Sequence, residues 1–112
     1  IRPVTPGHLL VIPKTHVPYL DGLDDALGSR MFVIAMRLAA ALRGSGIRCE
    51  GINLFLADGE AAGQEVFHTH LHVFPRFAND GARIEADWDP APSRTELDAQ
   101  AANIRITATG HP

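Results

Sequence analysis

Three histidines fall within five positions, in His68-Thr69-His70-Leu71-His72. In an extended chain, side chains alternate between faces. The three imidazoles then share one face, and Thr69, Leu71 and Val73 share the other. Burying three imidazoles in a row without partners is costly, so a core role accounts for one histidine and not for three. Two chemistries suit the row. Neutral imidazoles two apart on a strand can share a zinc ion. Alternatively, one ring attacks phosphorus as a nucleophile, and its neighbours donate hydrogen bonds to the oxygens where charge develops. Gly63-Gln64, just upstream, favours the second. Glycine lets backbone N–H groups approach a ligand and form an anion nest, and a Gln amide can hydrogen-bond a bridging or attacking oxygen. A metal site would also want carboxylate or Cys partners, and the strand offers none.

The elements that must position these residues follow from the hydrophobic pattern. The histidines lie on an expected strand over 66–74, ended by Pro75. His8-Leu9-Leu10-Val11-Ile12, closed by Pro13, reads as a strand buried on both faces. Leu27, Met31, Ile34, Leu38 and Leu42 form one apolar stripe of a helix over 25–43. Asp24 is its expected N-cap, and Gly44-Ser45-Gly46 ends it. Residues 52–56 form another strand, followed by a small-residue loop over 58–64. Ser93 and Glu96 match a capping box that opens a short helix from 94 to about 105. This order predicts one α+β domain over 1–112 with a small sheet.

The 112 residues suit a single domain, and 46% hydrophobic content provides enough apolar surface to offset ordering. Ten basic against thirteen acidic side chains, net −3, argue against a nucleic-acid partner. The lone Cys49 excludes an internal disulfide or a Cys-rich zinc module, and its expected role is that of a small hydrophobe. No apolar run approaches the ~20 residues of a membrane span, and no signal-peptide pattern is visible. The expectation is a cytoplasmic protein with no membrane partner. His16 and His111 read as solvated, Arg76 and Arg83 as charges on a solvated face, and Trp88 as a ring that buries a loop.

Gly63-Gln64-Glu65-Val66-Phe67-His68-Thr69-His70-Leu71-His72-Val73-Phe74-Pro75-Arg76 resembles the signature of the histidine triad (HIT) superfamily. That signature is His-φ-His-φ-His-φ-φ with φ apolar, preceded by Gly-Gln. Thr5-Pro6-Gly7-His8-Leu9-Leu10-Val11-Ile12-Pro13-Lys14-Thr15-His16 is similar to the family's Gly-His-x-Leu-Val-x-Pro-Lys-x-His block. Asp58-Gly59-Glu60-Ala61-Ala62-Gly63-Gln64 is similar to a loop of bacterial members and of the fragile-histidine-triad branch. The likeness covers residues 1 to about 77.

The resemblance implies a small antiparallel sheet with one long helix and a short C-terminal helix, dimerising into a larger sheet. It implies that His70 attacks the α-phosphorus of a purine nucleotide conjugate and forms a covalent nucleotidyl-histidine, with no metal or cofactor. The conjugate would be a dinucleoside polyphosphate or a nucleoside phosphoramidate, and the Asp58-to-Gln64 loop with Pro75-Arg76 favours the first. The carbonyl of His68 would fix the tautomer of His70. His72 would donate to phosphate oxygens, with His8 packed behind. Gln64 would bind the bridging oxygen, and Gly63 and the N–H of Glu65 would form the phosphate loop. Glu65 stands where many members carry Ser or Thr, and Ala57 where many carry Asn or Gln. Asn53, nearby, is a further substrate-binding candidate. The family's first strands and helix, with an Asp for the ribose, precede the residue matching Ile1, so the chain reads as a family domain without its first wall. One alternative is a catalytically weak nucleotide-binding protein. Another is a metal protein built on His68, His70, His72 or His8.

Overall fold

In the computed structural model, residues 2–109 are described. His111 lies outside them. The chain divides into two compact units, 1–82 and 83–112.

In the first unit, β1 (Leu9–Val11), β2 (Gly51–Phe55) and β3 (Leu71–Arg76) form an antiparallel sheet in the order β1-β3-β2. The register pairs Leu10 with His72 on one side of β3 and Phe55 with His72 on the other. Directly paired residues share a face. One face therefore carries Leu10, His72, Phe74, Phe55 and Asn53, and the other carries Leu9, Val11, Leu71, Val73 and Ile52.

Helix α1 (Asp25–Gly44) packs against β3 and β1. Its Met31, Ala35 and Leu42 join Val11 and Val73 in the core, flanked by Leu9, Leu71, Ile52, Ile34, Leu38 and Cys49. Val73 is fully buried, which is worth about 2 kcal/mol. The Asp24 carboxylate accepts from Leu27 N at 2.7 Å, satisfying an orphan donor of the first turn. The helix ends where Ser45 N donates to Leu42 O and Gly46 takes a left-handed φ of 82°.

Three expectations about the strands need correction. The first run is not buried on both faces. Ile12 is 50% exposed, because α1 covers only one side of the sheet. Second, β3 starts at Leu71, not at 66, because Val11–Leu71 is the last pair that short β1 can offer. His68 and His70 therefore lie on an irregular connector, and only His72 is in the strand. The connector is fastened instead by Thr69 N donating to Val17 O at 2.6 Å. Along it Thr69 is buried between half-buried His68 and His70, whereas Leu71 is only half-buried.

Third, Pro75 lies inside β3, paired with Ile52. Its carbonyl accepts from Thr5 Oγ1 at 2.6 Å. The N and O of one strand residue point the same way, so the position lacking an N–H faces the stretch ahead of β1, where no ladder bond is due.

The second unit contains α2 (Arg94–Thr109), four residues longer than expected. Ser93 Oγ caps it by accepting from Glu96 N at 3.1 Å. Trp88 is 83% exposed, so it buries no loop. No helix among the described residues is long and apolar enough to cross a membrane.

Candidate active site

Where each triad proton resides follows from its partner. A backbone carbonyl only accepts, so a ring nitrogen facing one carries the hydrogen. His70 Nδ1 lies 2.7 Å from His68 O, so Nδ1–H donates and the lone pair of the neutral ring is on Nε2. His68 Nε2–H donates to Pro13 O at 2.8 Å. The connector that replaces the expected strand thus supplies the acceptor for His70, and the end of β1 anchors His68.

His72 lies between three rings. His70 is edge-on with centroids 4.8 Å apart, Phe55 is 5.7 Å away, and His8 is 5.0 Å away. His8 Nε2 and His72 Nδ1 are 2.8 Å apart and hydrogen-bonded. Phe74 packs against His8 from the same face at 5.1 Å. Burial, then the neighbouring His70 and His8, pushes the His72 ring down to about 4. Burial also lowers His8. Both rings are therefore neutral at pH 7.

The loop before the triad is built on a 3-10 turn at Glu60–Ala62. Gly63 ends it with φ 95°, a left-handed conformation that disfavours side chains. Gln64 is 3% exposed, and its amide is committed internally. Its Oε1 accepts from Gly59 N at 2.8 Å, and its Nε2 donates to Pro18 O at 2.7 Å and Val66 O at 3.1 Å. Both amide hydrogens are spent on backbone carbonyls, so the amide braces three segments. Asp58 adds a fourth tie by accepting from Leu20 N at 3.0 Å. The Glu65 side chain is exposed. An open cleft of about 470 Å³ is lined by Glu60, Gly63, Gln64, Glu65 and Phe67. A smaller, apolar cavity of about 220 Å³ is lined by Leu10, Ile12, Val66, His68 and His70.

Asn53 shares the face of His72, but its Oδ1 accepts from Arg76 Nη1 at 2.7 Å. Arg76 itself is a correction to the solvated reading. Its guanidinium also meets Asp80 at 2.7 Å and Ala82 O at 2.8 Å, with side chains 27% and 3% exposed. The Arg76 hydrogen bond holds the Asp80 carboxyl well below the usual carboxylate range, helped by Phe77 N. His16 is exposed as expected, yet its ring meets His68 edge-on at 5.3 Å. Among the described residues, no three His, Cys, Asp or Glu form a group that could hold a metal ion.

Sequence reasoning missed the backbone acceptors Pro13 O, Pro18 O and Val17 O, which carry no side-chain signal. It also missed Phe55 and Phe74, whose alternation on their strands was the available clue.

Residues 1–79 match the HIT domain. The chain belongs to the HIT family. Among HIT relatives, an uncharacterized HIT-like protein of Borreliella burgdorferi is 49% identical over 83 residues, 72% of this chain and 59% of the relative. The Bis(5'-adenosyl)-triphosphatase of Dictyostelium discoideum is 31% identical over 112 residues, 94% of this chain and 74% of that one. The crystal structure of a HIT family protein from Bacillus anthracis superposes with a TM-score of 0.81 at 32% identity, over 93% of this chain and 74% of that one. The chain spans 59% of the length of the Borreliella and Bacillus subtilis HIT relatives it matches.

Proposed function

We propose that the protein is a hydrolase or transferase of purine nucleotide conjugates, acting at the α-phosphate through a covalent nucleotidyl-His70. The observation that carries this reading is the 2.7 Å bond from His70 Nδ1–H to His68 O, which leaves the Nε2 lone pair for attack. Nε2 forms a bond to the α-phosphorus. The bond from phosphorus to the leaving oxygen or nitrogen breaks, and the leaving group departs with the electron pair. The positive charge that develops on the ring is stabilised by the carbonyl already on Nδ1–H. Water then attacks phosphorus and releases a proton to solvent, while the P–N bond breaks and its electron pair returns to Nε2. His72 donates to the phosphate oxygens, and Gly63 and the N–H of Glu65 hold them. The apolar cavity of Leu10, Ile12 and Val66 beside His70 suits a nucleoside. The sequence of the Asp58-to-Gln64 loop and the Dictyostelium relative favour a dinucleoside polyphosphate over a phosphoramidate. Exposed Phe32 and Met36, one turn apart on α1, give a homodimer an apolar face to bury.

A second reading is a nucleotide-binding protein with weak catalysis. The exposed carboxylate of Glu65, which lines the cleft, favours it, because a carboxylate there repels the charge that builds on phosphate oxygens. One experiment separates the two. The protein is incubated with an α-phosphate-labelled diadenosine polyphosphate, with and without a chelator, beside His70→Ala. An acid-labile adduct and released nucleotide that survive chelation and vanish in His70→Ala support the hydrolase. Binding without adduct or turnover supports the second reading. Loss on chelation, restored by zinc, overturns both.

A further inference from the structure

His72 has two nitrogens, and only one of them can face a phosphate. Which one carries the proton is settled two groups away, at a backbone amide. Val4 N lies 2.9 Å from His8 Nδ1. A backbone N–H can only donate, so His8 Nδ1 holds a lone pair. A neutral imidazole has one N–H, which must then be on Nε2 of His8. That nitrogen is 2.8 Å from His72 Nδ1. His72 Nδ1 must therefore accept, and the only proton of His72 is on Nε2. No residue among those described is a hydrogen-bond partner of that Nε2, and the ring is edge-on to His70.

We infer that the Val4 amide and His8 act as positioning groups that lock His72 as a neutral Nε2–H donor facing the reacting phosphate. The lock works against protonation as well as against the other tautomer. A proton added to His72 Nδ1 would point at the N–H of His8. His8 cannot relieve this by moving its own proton to Nδ1, because the Val4 N–H already points there. The amide cannot change roles, so both alternatives leave two hydrogens facing each other. The titratable groups against His72 are His8 and His70, and the third ring against it, Phe55, is uncharged. Phe74 closes off His8 on the same face. Burial of His72 acts in the same direction as the lock.

The donor role rests on the proposed α-phosphate chemistry, but the lock itself does not. The first readout is therefore independent of turnover. Nitrogen-15 NMR of the histidine side chains reports tautomer and titration midpoint in the wild type, in His8→Phe and in Val4→Pro. The first variant removes the ring donor and keeps an aromatic at that position; the second removes the N–H and keeps the ring. Thermal midpoints confirm folding. The expected wild-type signal is one Nε2–H tautomer that resists protonation. In His8→Phe the His72 midpoint rises by about one pH unit and its nitrogens shift toward a tautomer mixture. Val4→Pro moves both in the same direction by less and frees the His8 tautomer. Should Val4→Pro fail to fold, His8→Phe alone decides. A His72 tautomer and midpoint unchanged in the folded variants overturn the lock. With the labelled substrate, His8→Phe is then expected to lower kcat several-fold at near-constant KM. Loss of turnover in every protein, wild type included, would count against the α-phosphate reading, whereas the NMR result still decides the lock.

Discussion

β3 begins and ends in polar clusters that are built on opposite plans. At its N-terminal end, imidazole rings are oriented by backbone groups and by His8, and three nitrogens, Nδ1 of His68, Nε2 of His70 and Nε2 of His72, are left without hydrogen-bond partners among the described residues. At its C-terminal end, Arg76 and Asp80 pair at 2.7 Å and commit nearly every atom. Arg76 reaches Asn53 and Ala82 O, and the Asp80 oxygens accept from Phe77 N and Ala82 N as well. The contrast separates chemistry from architecture. A group that must meet a ligand keeps a donor or lone pair in reserve and is aimed by its other atom. A group that only closes a corner has none to spare. Of the two side chains expected to touch substrate, Gln64 has both amide hydrogens bonded internally, whereas Asn53 is held through its Oδ1 alone.

The sharpest test of the contrast is at the reserved lone pair. His70→Ala is expected to lower turnover on the order of 10⁴-fold or more, with little change in thermal midpoint. A variant that keeps its turnover would erase the distinction. Gln64 comes next. Gln64→Ala removes one acceptor and two donated bonds, and should cost about 2–3 kcal/mol by denaturant unfolding. Gln64→Glu should not restore it, because an ionised carboxylate cannot donate to Pro18 O or Val66 O. A stable Gln64→Ala that loses only kcat would return Gln64 to the ligand.

The two ends should also yield to acid in different windows. The His72 ring is pushed from 6.5 down to about 4 on folding, so its neutral-state stabilisation is complete above pH 6.5 and is lost as pH falls toward 4. The Asp80 carboxyl is lowered from 3.8, so its share is intact above that and is lost only below it. Unfolding curves from pH 7.5 down to about 1.5 should show the two losses in succession, and His72→Asn should remove the upper one. The smallest effect belongs to Thr69. Its hydroxyl is buried with no partner, which costs free energy. Thr69→Val, nearly equal in volume, should stabilise the fold by about 1 kcal/mol by calorimetry.

Much of this was legible in the residues. The stripe from Leu27 to Leu42 was enough to locate α1, since a 3.6-residue period needs no knowledge of the partner surface. Ala35, the most buried residue of that helix, was not singled out, because its small side chain contributes little to an apolar pattern. Strand ends were less legible. Where β3 starts depends on how many residues β1 offers across the ladder, and Pro75 is tolerated only because its missing N–H faces no ladder partner.

The sequence by itself determined the residue types and the spacing. These are the alternation that sets Thr69 and Val73 against three histidines, the glycine that allows a left-handed turn at 63, and the caps of both helices. Those features depend on each residue and its near neighbours along the chain. Only the tertiary structure decided which nitrogen carries each proton and which polar groups remain in reserve. Those outcomes depend on backbone atoms brought from far along the chain, Pro13 O to His68 and Pro18 O to Gln64, and on the pairing of His8 with His72 across 64 positions. Every residue has the same amide and carbonyl, so their positions become specific only when the chain folds.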